Sequence, residues 1–253
     1  MTQLILLLAL AAAAPGKPGP PPPTPPPEPP PLVSAPGTGG WSVVGALTAP
    51  INVNLVEAAV GWPGLHAAFR RGISKELEMG AQFSVNYGVE GMVGAVVPGL
   101  KFQFLLRYKI FDNGKLSLAA RFEPGPLFYF YTSANINTCA IDQFGNLVCG
   151  RSTSAVGGFA LPLGMRLGIA ASSAINIGVS FDLPLWFSFG RTAIFYVPIL
   201  MGLGAEYFLQ SNLALTFAVK MGPTLSSSGP TTFNPNGAAI FTFESKLGVG
   251  YRF

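Results

Sequence analysis

The side chains of this chain that could do chemistry are few. Its 253 residues include 15 Lys and Arg, 11 Asp and Glu, two Cys and a single histidine, His66. Nucleophilic catalysis needs a base beside a Ser or Cys, and no G-x-S-x-G, H-E-x-x-H or phosphate-binding glycine loop accompanies His66. We therefore predict that the protein is not an enzyme and holds no metal or cofactor. The less favoured alternative is an enzyme that depends on His66.

The spacing of the charged residues is more informative than their number. Between positions 100 and 110, Lys101, Arg107 and Lys109 alternate with large apolar residues such as Phe102. A period of two places the two sets on opposite faces of a β-strand. Carried along the chain, this alternation collects on one face the residues Arg70, Glu78, Lys101, Arg107, Lys109, Arg121, Glu123, Arg166, Asp182, Glu206, Lys220, Glu244, Lys246 and Arg252.

The composition indicates what covers the opposite, apolar face. Charged residues make up 10% of the chain, against about 25% in soluble domains, so lipid is the obvious cover. After residue 14 no stretch has the roughly 18 unbroken apolar residues that a helix needs to span a bilayer. We therefore predict an all-β, closed antiparallel barrel, which satisfies every backbone hydrogen bond within a membrane. The net charge of +4 is dispersed and does not predict nucleic-acid binding.

Alternating segments follow one another from residue 65 to the C-terminus and predict nine strands. A tenth strand is expected within 41–60, from Ile51 to Val60; it returns through Trp62-Pro63-Gly64 and gives the even number usual in bacterial barrels. Eight strands is the main rival. Short turns separate alternate strand pairs, and longer loops, including 131–152, are predicted at the other rim. Short turns are periplasmic in such barrels.

The last strand carries a family resemblance. Leu247, Val249 and Tyr251 alternate up to the terminal Phe253, a pattern that resembles the C-terminus of bacterial outer-membrane β-barrel proteins. The resemblance covers residues 50–253 as architecture. It implies a Gram-negative outer membrane as the location, lipid as the surroundings, and recognition of this strand by the barrel-assembly machinery. It implies no activity.

The N-terminus predicts export. The apolar run Leu4 to Ala14 ends in small residues, so residues 1–13 are expected to be a signal peptide. Residues 14–40 are expected to be a disordered periplasmic tether, since 13 of the 22 residues from Pro15 to Pro36 are proline and favour extended polyproline II. The tether could hold a periplasmic or cell-wall partner. Residues 41–253 are assigned to the barrel.

The predicted outer loops contain both cysteines. Cys139 and Cys149 lie in the longest loop of an exported chain, which predicts a structural disulfide rather than a metal or redox pair. Aromatic residues near the outer strand ends, Tyr129, Trp186 and Tyr196 among them, are expected to form a girdle at the lipid headgroups.

The inward charges lead to the functional prediction. Eight to ten strands enclose a narrow interior, where ions must be paired or hydrated. Arg166 is the expected salt-bridge partner of Asp182 and Glu206. We therefore predict a largely plugged lumen filled by a charge network, in a non-catalytic structural or surface-interaction protein. The alternative is a narrow pore that prefers anions, and a lipid-modifying enzyme is less favoured. The oligomeric state is left open.

Overall fold

The structure is a computed structural model that describes residues 40–89, 97–141, 147–189, 194–226 and 240–253. Side chains are not described for residues 131–153, 194, 226 and 240. The expected signal peptide and nearly all of the tether therefore lie outside the described residues. None of the described residues belongs to a helix long and apolar enough to cross a membrane.

The regular structure consists of twelve β-segments in one sheet. The first six are β1 (Asn54–Trp62), β2 (Gly64–Gly72), β3 (Leu77–Asn86), β4 (Gly99–Asp112), β5 (Leu116–Phe122) and β6 (Gly125–Ile141). The others are β7 (Leu147–Ala170), β8 (Ile175–Phe189), β9 (Ile194–Pro198), β10 (Leu200–Gln210), β11 (Leu213–Ser226) and β12 (Ile240–Arg252). Because β5 continues into β6, and β9 into β10, the twelve segments make a barrel of ten strands, which confirms the predicted fold.

The barrel is closed through its first and last strands. β1 pairs antiparallel with β2 and with β12, so that Leu55 lies between Arg70 and Arg252. The connections β2–β3, β4–β5, β7–β8 and β10–β11 are short turns at one end of the barrel, hereafter the short-turn end. The β1–β2 turn lies at the opposite end, hereafter the loop end, together with the strand ends that precede and follow the longer connections of the chain.

Proline interrupts two of the ten strands without breaking their ladders. Proline has no amide hydrogen to donate to a neighbouring strand, and Pro124 separates β5 from β6 just as Pro198 ends β9. The Pro124 carbonyl nevertheless accepts a hydrogen bond from Phe104 N at 2.8 Å, and Ile199 N donates to the Pro223 carbonyl at 2.8 Å. The wall is therefore continuous at both positions.

The predicted loop 131–152 is wrong in its extent. β6 runs to Ile141 and β7 starts at Leu147, and from Tyr131 to Ile141 β6 pairs only with β7 among the described strands. This part of the hairpin packs against no other described strand and needs no apolar face, so its sequence lacks the alternation that marks the wall strands.

The wall strands have a polar inner face and an apolar outer face. On β4, Gln103 and Arg107 are 1% and 6% exposed, whereas Phe102 and Tyr108 are 54% and 52% exposed. The same alternation holds on β2, where Arg70 is buried and Phe69 is exposed. The interior of the protein is thus its barrel lumen, and the apolar side chains cover the outside.

The first strand, expected from Ile51 to Val60, is β1, and the chain before it does not join the wall. The wall begins at Asn54, and residues 41–50, which we call the plug, lie inside the lumen with Trp41, Ala46 and Ala49 almost fully buried. Asn52 then adopts a positive φ of 61°, a conformation that Asn tolerates better than most residues. This turn directs the chain out of the lumen and into β1.

A candidate functional site in the barrel lumen

The plug crosses the lumen at the short-turn end. At its start, Trp41 Nε1 donates a hydrogen bond to the Ser211 carbonyl at 3.1 Å, and its ring packs edge-on against Phe208 at 5.2 Å. Near its other end, Thr48 Oγ1 donates to the Lys75 carbonyl at 3.1 Å. Ser211 lies in the β10–β11 turn and Lys75 in the β2–β3 turn, so the plug joins two separate parts of this rim.

Glu206 on β10 holds the first half of the plug. Its carboxylate accepts hydrogen bonds from Ser42 Oγ and from the backbone N–H groups of Val43 and Val44, the last at 2.7 Å. Asn176 Nδ2 on β8 donates to the same carboxylate at 3.5 Å. The fully buried carboxylate is therefore satisfied mainly by the plug.

Arg107 and Glu78 bind the plug from β4 and β3. Arg107 donates from Nη1 to the Ser42 carbonyl at 2.7 Å and from Nη2 to the Val43 carbonyl at 3.0 Å. Its Nη1 also reaches the Leu47 carbonyl at 3.2 Å. Glu78 Oε2 accepts from Ala49 N at 2.8 Å. Charged side chains thus supply the partners that this irregular buried backbone needs.

Glycines in the wall give the plug its space. A Cβ at Gly204 would lie 2.3 Å from Val44 Cγ1, and one at Gly250 would lie 2.6 Å from Val43 Cγ2. Any side chain at these two inward positions would collide with the plug. The glycine surface of β10 and β12 and the plug valines are therefore complementary in shape.

A first group of ion pairs, the Glu57 cluster, connects the plug to the middle of the lumen. Glu57 lies 2.8 Å from Arg70 Nη2 and 3.0 Å from His66 Nε2. Arg70 Nε lies 3.7 Å from Glu78, and Arg107 Nε lies 3.8 Å from the same carboxylate. This chain of charges crosses β1 to β4, and all five side chains are buried.

A second group, the Asp182 cluster, occupies the opposite wall. It consists of Arg121, Glu123, Arg166, Asp182, Lys220 and Glu244. Asp182 lies 3.1 Å from Lys220 Nζ, 3.5 Å from Arg166 Nη1 and 3.8 Å from Arg121 Nε. Arg121 also bonds Glu123, and Lys220 lies 3.7 Å from Glu244. Ions buried in a narrow lumen need such pairing because desolvation is costly.

Two small cavities lie between the clusters. One, of about 50 Å³, adjoins the plug at Val43 and Val44. The other, also about 50 Å³, lies nearer the loop end and reaches the β1–β2 turn at Pro63 and Gly64; we call it the outer cavity. A space of this size holds about four water molecules. The cavities share the side chains His66, Gln82, Arg121, Glu123, Lys220 and Lys246.

Aromatic side chains fill part of the lumen at the loop end, and for three of these residues the predicted place in the outer girdle is wrong. Tyr129, Trp186 and Tyr196 are buried, and Trp186 stacks on Tyr196 with a ring-centroid distance of 4.0 Å. Their strand neighbours Phe128 and Phe195 are exposed on the outer face. Successive side chains of a strand point to opposite faces of the sheet. In each of these neighbouring pairs, one aromatic side chain therefore enters the lumen and the other covers the outer face.

Five of the predicted inward charges lie outside these clusters, and one of them, Glu206, binds the plug. Lys109 lies near the short-turn end, partly exposed, 3.4 Å from Asp112. Arg252 is half-buried opposite Leu55, near the same end. Lys101 and Lys246 both line the outer cavity.

The outer hairpin places the two cysteines opposite each other. Cys139 on β6 and Cys149 on β7 are partners in the backbone register, and directly opposite residues have Cβ atoms about 4.5–5.5 Å apart. Their side chains lie outside the described residues, so the disulfide stays a prediction.

The C-terminal residues Leu247, Val249, Tyr251 and Phe253 are exposed on the outer face of β12. Their recognition by the assembly machinery likewise stays a prediction.

No family model and no curated protein matches the chain. It is similar in fold to several solved bacterial β-barrels. The outer membrane protease OmpT from Escherichia coli has a TM-score of 0.46 at 10% identity, covering 85% of this chain and all of that one. The β domain of the Bordetella autotransporter BrkA has a TM-score of 0.42 at 14% identity, covering 79% and 96%. The N-terminal β-barrel domain of Pseudomonas aeruginosa OprF has a TM-score of 0.33 at 12% identity, covering 81% and 100%.

His66 is held in the lumen by a carboxylate. Its Nε2 atom lies 3.0 Å from Glu57 Oε1. Ser84 faces it in the β2–β3 register, and the Ser84 hydroxyl accepts a hydrogen bond from Gln82 Nε2 at 3.1 Å. His66 is 7% exposed and lies on the inner face of β2, so its imidazole has no contact with the outer surface of the barrel.

Sequence reasoning missed two parts of the site. Glu57 was not among the predicted inward charges, because its inward neighbours Leu55 and Ala59 are apolar, yet it pairs with His66 and Arg70. The plug was included in the barrel, residues 41–253, and its position inside the lumen was not predicted. The available signal was that residues 41–50 contain no charged residue immediately before the first strand.

Proposed function

We propose that the protein is a non-catalytic outer-membrane β-barrel with a closed lumen, which acts as a structural or surface-interaction protein. The observation that carries the proposal is the plug. A pore needs a continuous aqueous path, whereas here residues 41–50 occupy the short-turn end and buried ion pairs occupy the middle.

The outer face supports a membrane location. Large apolar side chains cover the wall strands, with Phe102, Leu203 and Phe217 each more than half exposed. Such a surface is stable in lipid and insoluble in water. With the proposed signal peptide and C-terminal Phe253, it favours the outer membrane, with the short turns and the tether in the periplasm.

The hairpin β6–β7 supports a surface role. Pairing of β7 with β8 ends at Gly157, and residues 147–156 continue beyond it for about 30 Å at the rise of an antiparallel strand. A two-stranded hairpin of this length offers backbone edges and side chains to a partner. The proposed disulfide between Cys139 and Cys149 would fix its shape.

Planar-bilayer recording of the purified full-length protein tests the closed lumen. We expect no stable unitary conductance from the wild type, and we expect openings when Glu206 and Arg107 are both replaced by Ala, which releases the plug. Replacement of the turn residues Glu76 and Lys75 by Ala is the matched control, since it also removes one acid and one base.

Stable wild-type conductance would overturn the proposal and favour the narrow pore that prefers anions. In that case the selectivity for anions would fall in K101Q, R107Q and R121Q. A lipid-modifying activity that is lost in H66A would instead support the enzyme.

A further inference from the structure

The outer face of the first strands contains an apolar groove of about 540 Å³. Its floor consists of one outward alanine on each of three adjacent strands, Ala58 on β1, Ala67 on β2 and Ala81 on β3. Larger outward side chains, Phe69 and Phe83 among them, border it. The protein leaves this space open, so the molecules around the barrel fill it.

Arg71 lies beside this groove on the same face of β2. Its side chain is exposed and takes the next outward position after Phe69, on the side of the short-turn end. Among the charged side chains that the structure describes on the strands, Arg71 alone takes an outward position in the register. An outward cation is costly at the middle of a bilayer and tolerated near the headgroups, so this position indicates headgroup depth.

Asn52 sets the direction of the Arg71 guanidinium. Arg71 Nη2 donates a hydrogen bond to Asn52 Oδ1 at 3.1 Å, and Asn52 N in turn donates to the Gly72 carbonyl at 2.9 Å. Among the described residues, no carboxylate lies within 4.0 Å of the guanidinium. Its other N–H groups are therefore available to an anion outside the protein.

Two tyrosines support the same depth for Arg71. Tyr108 and Tyr251 are exposed on the outer face near the short-turn end, and tyrosine is enriched at the level of the headgroups. The strand register places Arg71 between them. The groove extends from the level of Tyr251 and Phe69 away from this end. A cation at headgroup depth beside an apolar groove is complementary to a molecule with an anionic head and an apolar chain.

From the groove and the cation beside it, we infer that β1 to β3 form a binding site for one phospholipid, with its phosphate on Arg71 and an acyl chain in the groove. At roughly 30 Å³ per methylene group, about the volume of a water molecule in the liquid, the groove accommodates one chain of roughly 16 to 18 carbons. The inference rests on the proposed membrane location and is independent of the closed lumen.

A second copy of the protein fits this face less well. A two-fold axis along the membrane normal keeps each residue at the same depth in both copies. It would therefore bring a second Arg71 to the same interface at the same depth, and like charges repel each other. A phosphate group instead supplies the opposite charge.

Native mass spectrometry of the purified full-length protein in detergent, with added phosphatidylglycerol, tests the site. We expect the wild type to retain one lipid molecule. R71Q should lower the ratio of lipid-bound to free protein by about tenfold, the contribution of one hydrogen bond between charged groups. K115Q removes an exposed cation from the β4–β5 turn and is the matched control.

A second pair of variants tests the groove itself. A67L places a larger side chain on the floor and should lower the same ratio several-fold, whereas A205L makes the same change at an exposed alanine of β10 and should leave it unchanged. Diacylglycerol has the chains without the phosphate. It should bind more weakly than phosphatidylglycerol, and its binding should not respond to R71Q.

Absence of retained lipid on the folded wild type, or an equal effect of R71Q and K115Q, would overturn the inference. A dimer that A67L disrupts and R71Q leaves intact would also overturn it and assign the groove to a second copy. None of these results would affect the closed lumen, which depends on the bilayer recording, or the location, which membrane fractionation tests. Conversely, a conducting wild type would leave the measured lipid binding standing.

Discussion

We predict that a single substitution releases the plug, and this prediction is the most direct test of the proposed closed lumen. Glu206→Ala removes the acceptor of three hydrogen bonds, from Ser42 Oγ and from the N–H groups of Val43 and Val44. A hydrogen bond to a charged group contributes about 1.5–3 kcal/mol. Ser42 can turn to another acceptor, and loss of a buried carboxylate removes a desolvation cost.

We therefore expect a net loss of about 4 kcal/mol in plug binding, near the lower end of the range for three such bonds. At 1.4 kcal/mol per factor of ten, the open fraction of the plug should rise by nearly a thousandfold. The barrel itself should stay folded, because the ladders on both sides of Glu206 involve only backbone groups.

Thiol labelling measures this open fraction. V43C places a thiol on the plug at a position that is 6% exposed, in a background where Cys139 and Cys149 are Ser. The rate at which a water-soluble maleimide labels V43C should rise by two to three orders of magnitude in E206A, following the open population. E76A, which removes an exposed turn carboxylate, is the control. An unchanged labelling rate in a folded E206A barrel would refute the role assigned to Glu206.

Three further predictions concern other parts of the chain. Trp41→Ala should weaken plug binding by about 3–5 kcal/mol, seen as proteolytic cleavage within residues 41–50 while the barrel resists; protection equal to that of the wild type would contradict it. Mass spectrometry of non-reduced peptides should find Cys139 linked to Cys149, and reduction should leave the barrel folded, because this hairpin pairs only with itself; two free thiols in the exported protein would contradict the disulfide. F253S should lower the amount of protein assembled in the outer membrane, whereas F241S, at 60% exposure against 59% for Phe253, should not; equal loss in both would indicate a general effect of lipid-facing polarity.

The barrel could be predicted from the sequence because its main signal is local. A period of two is a property of the strand itself, so Lys101 and Phe102 separate to opposite faces whatever lies across the lumen. The number of strands followed from the same signal, once an even number was required.

The contacts across the lumen could be predicted only in part. Arg166 was the expected partner of both Asp182 and Glu206; it lies 3.5 Å from Asp182, whereas Glu206 binds the plug instead. Alternation shows that a side chain points inward and gives no information on which strand it meets across the barrel. The plug was missed for a related reason, since an irregular segment has no period to detect.

The plug and the buried charges depend on each other. A barrel with Glu206 and Arg107 facing an empty lumen would hydrate both ions, so the plug gains only the difference between its own hydrogen bonds and those of water. That difference in free energy is small for each hydrogen bond. The apolar contacts of Trp41 with Phe208 and of Val43 with the glycine surface contribute further to plug binding. Because no single contact dominates, the free energy that holds the plug in the lumen is a modest sum of several small contributions. Loss of one buried anchor such as Glu206 should therefore open the lumen, whereas loss of a rim charge such as Glu76 should not.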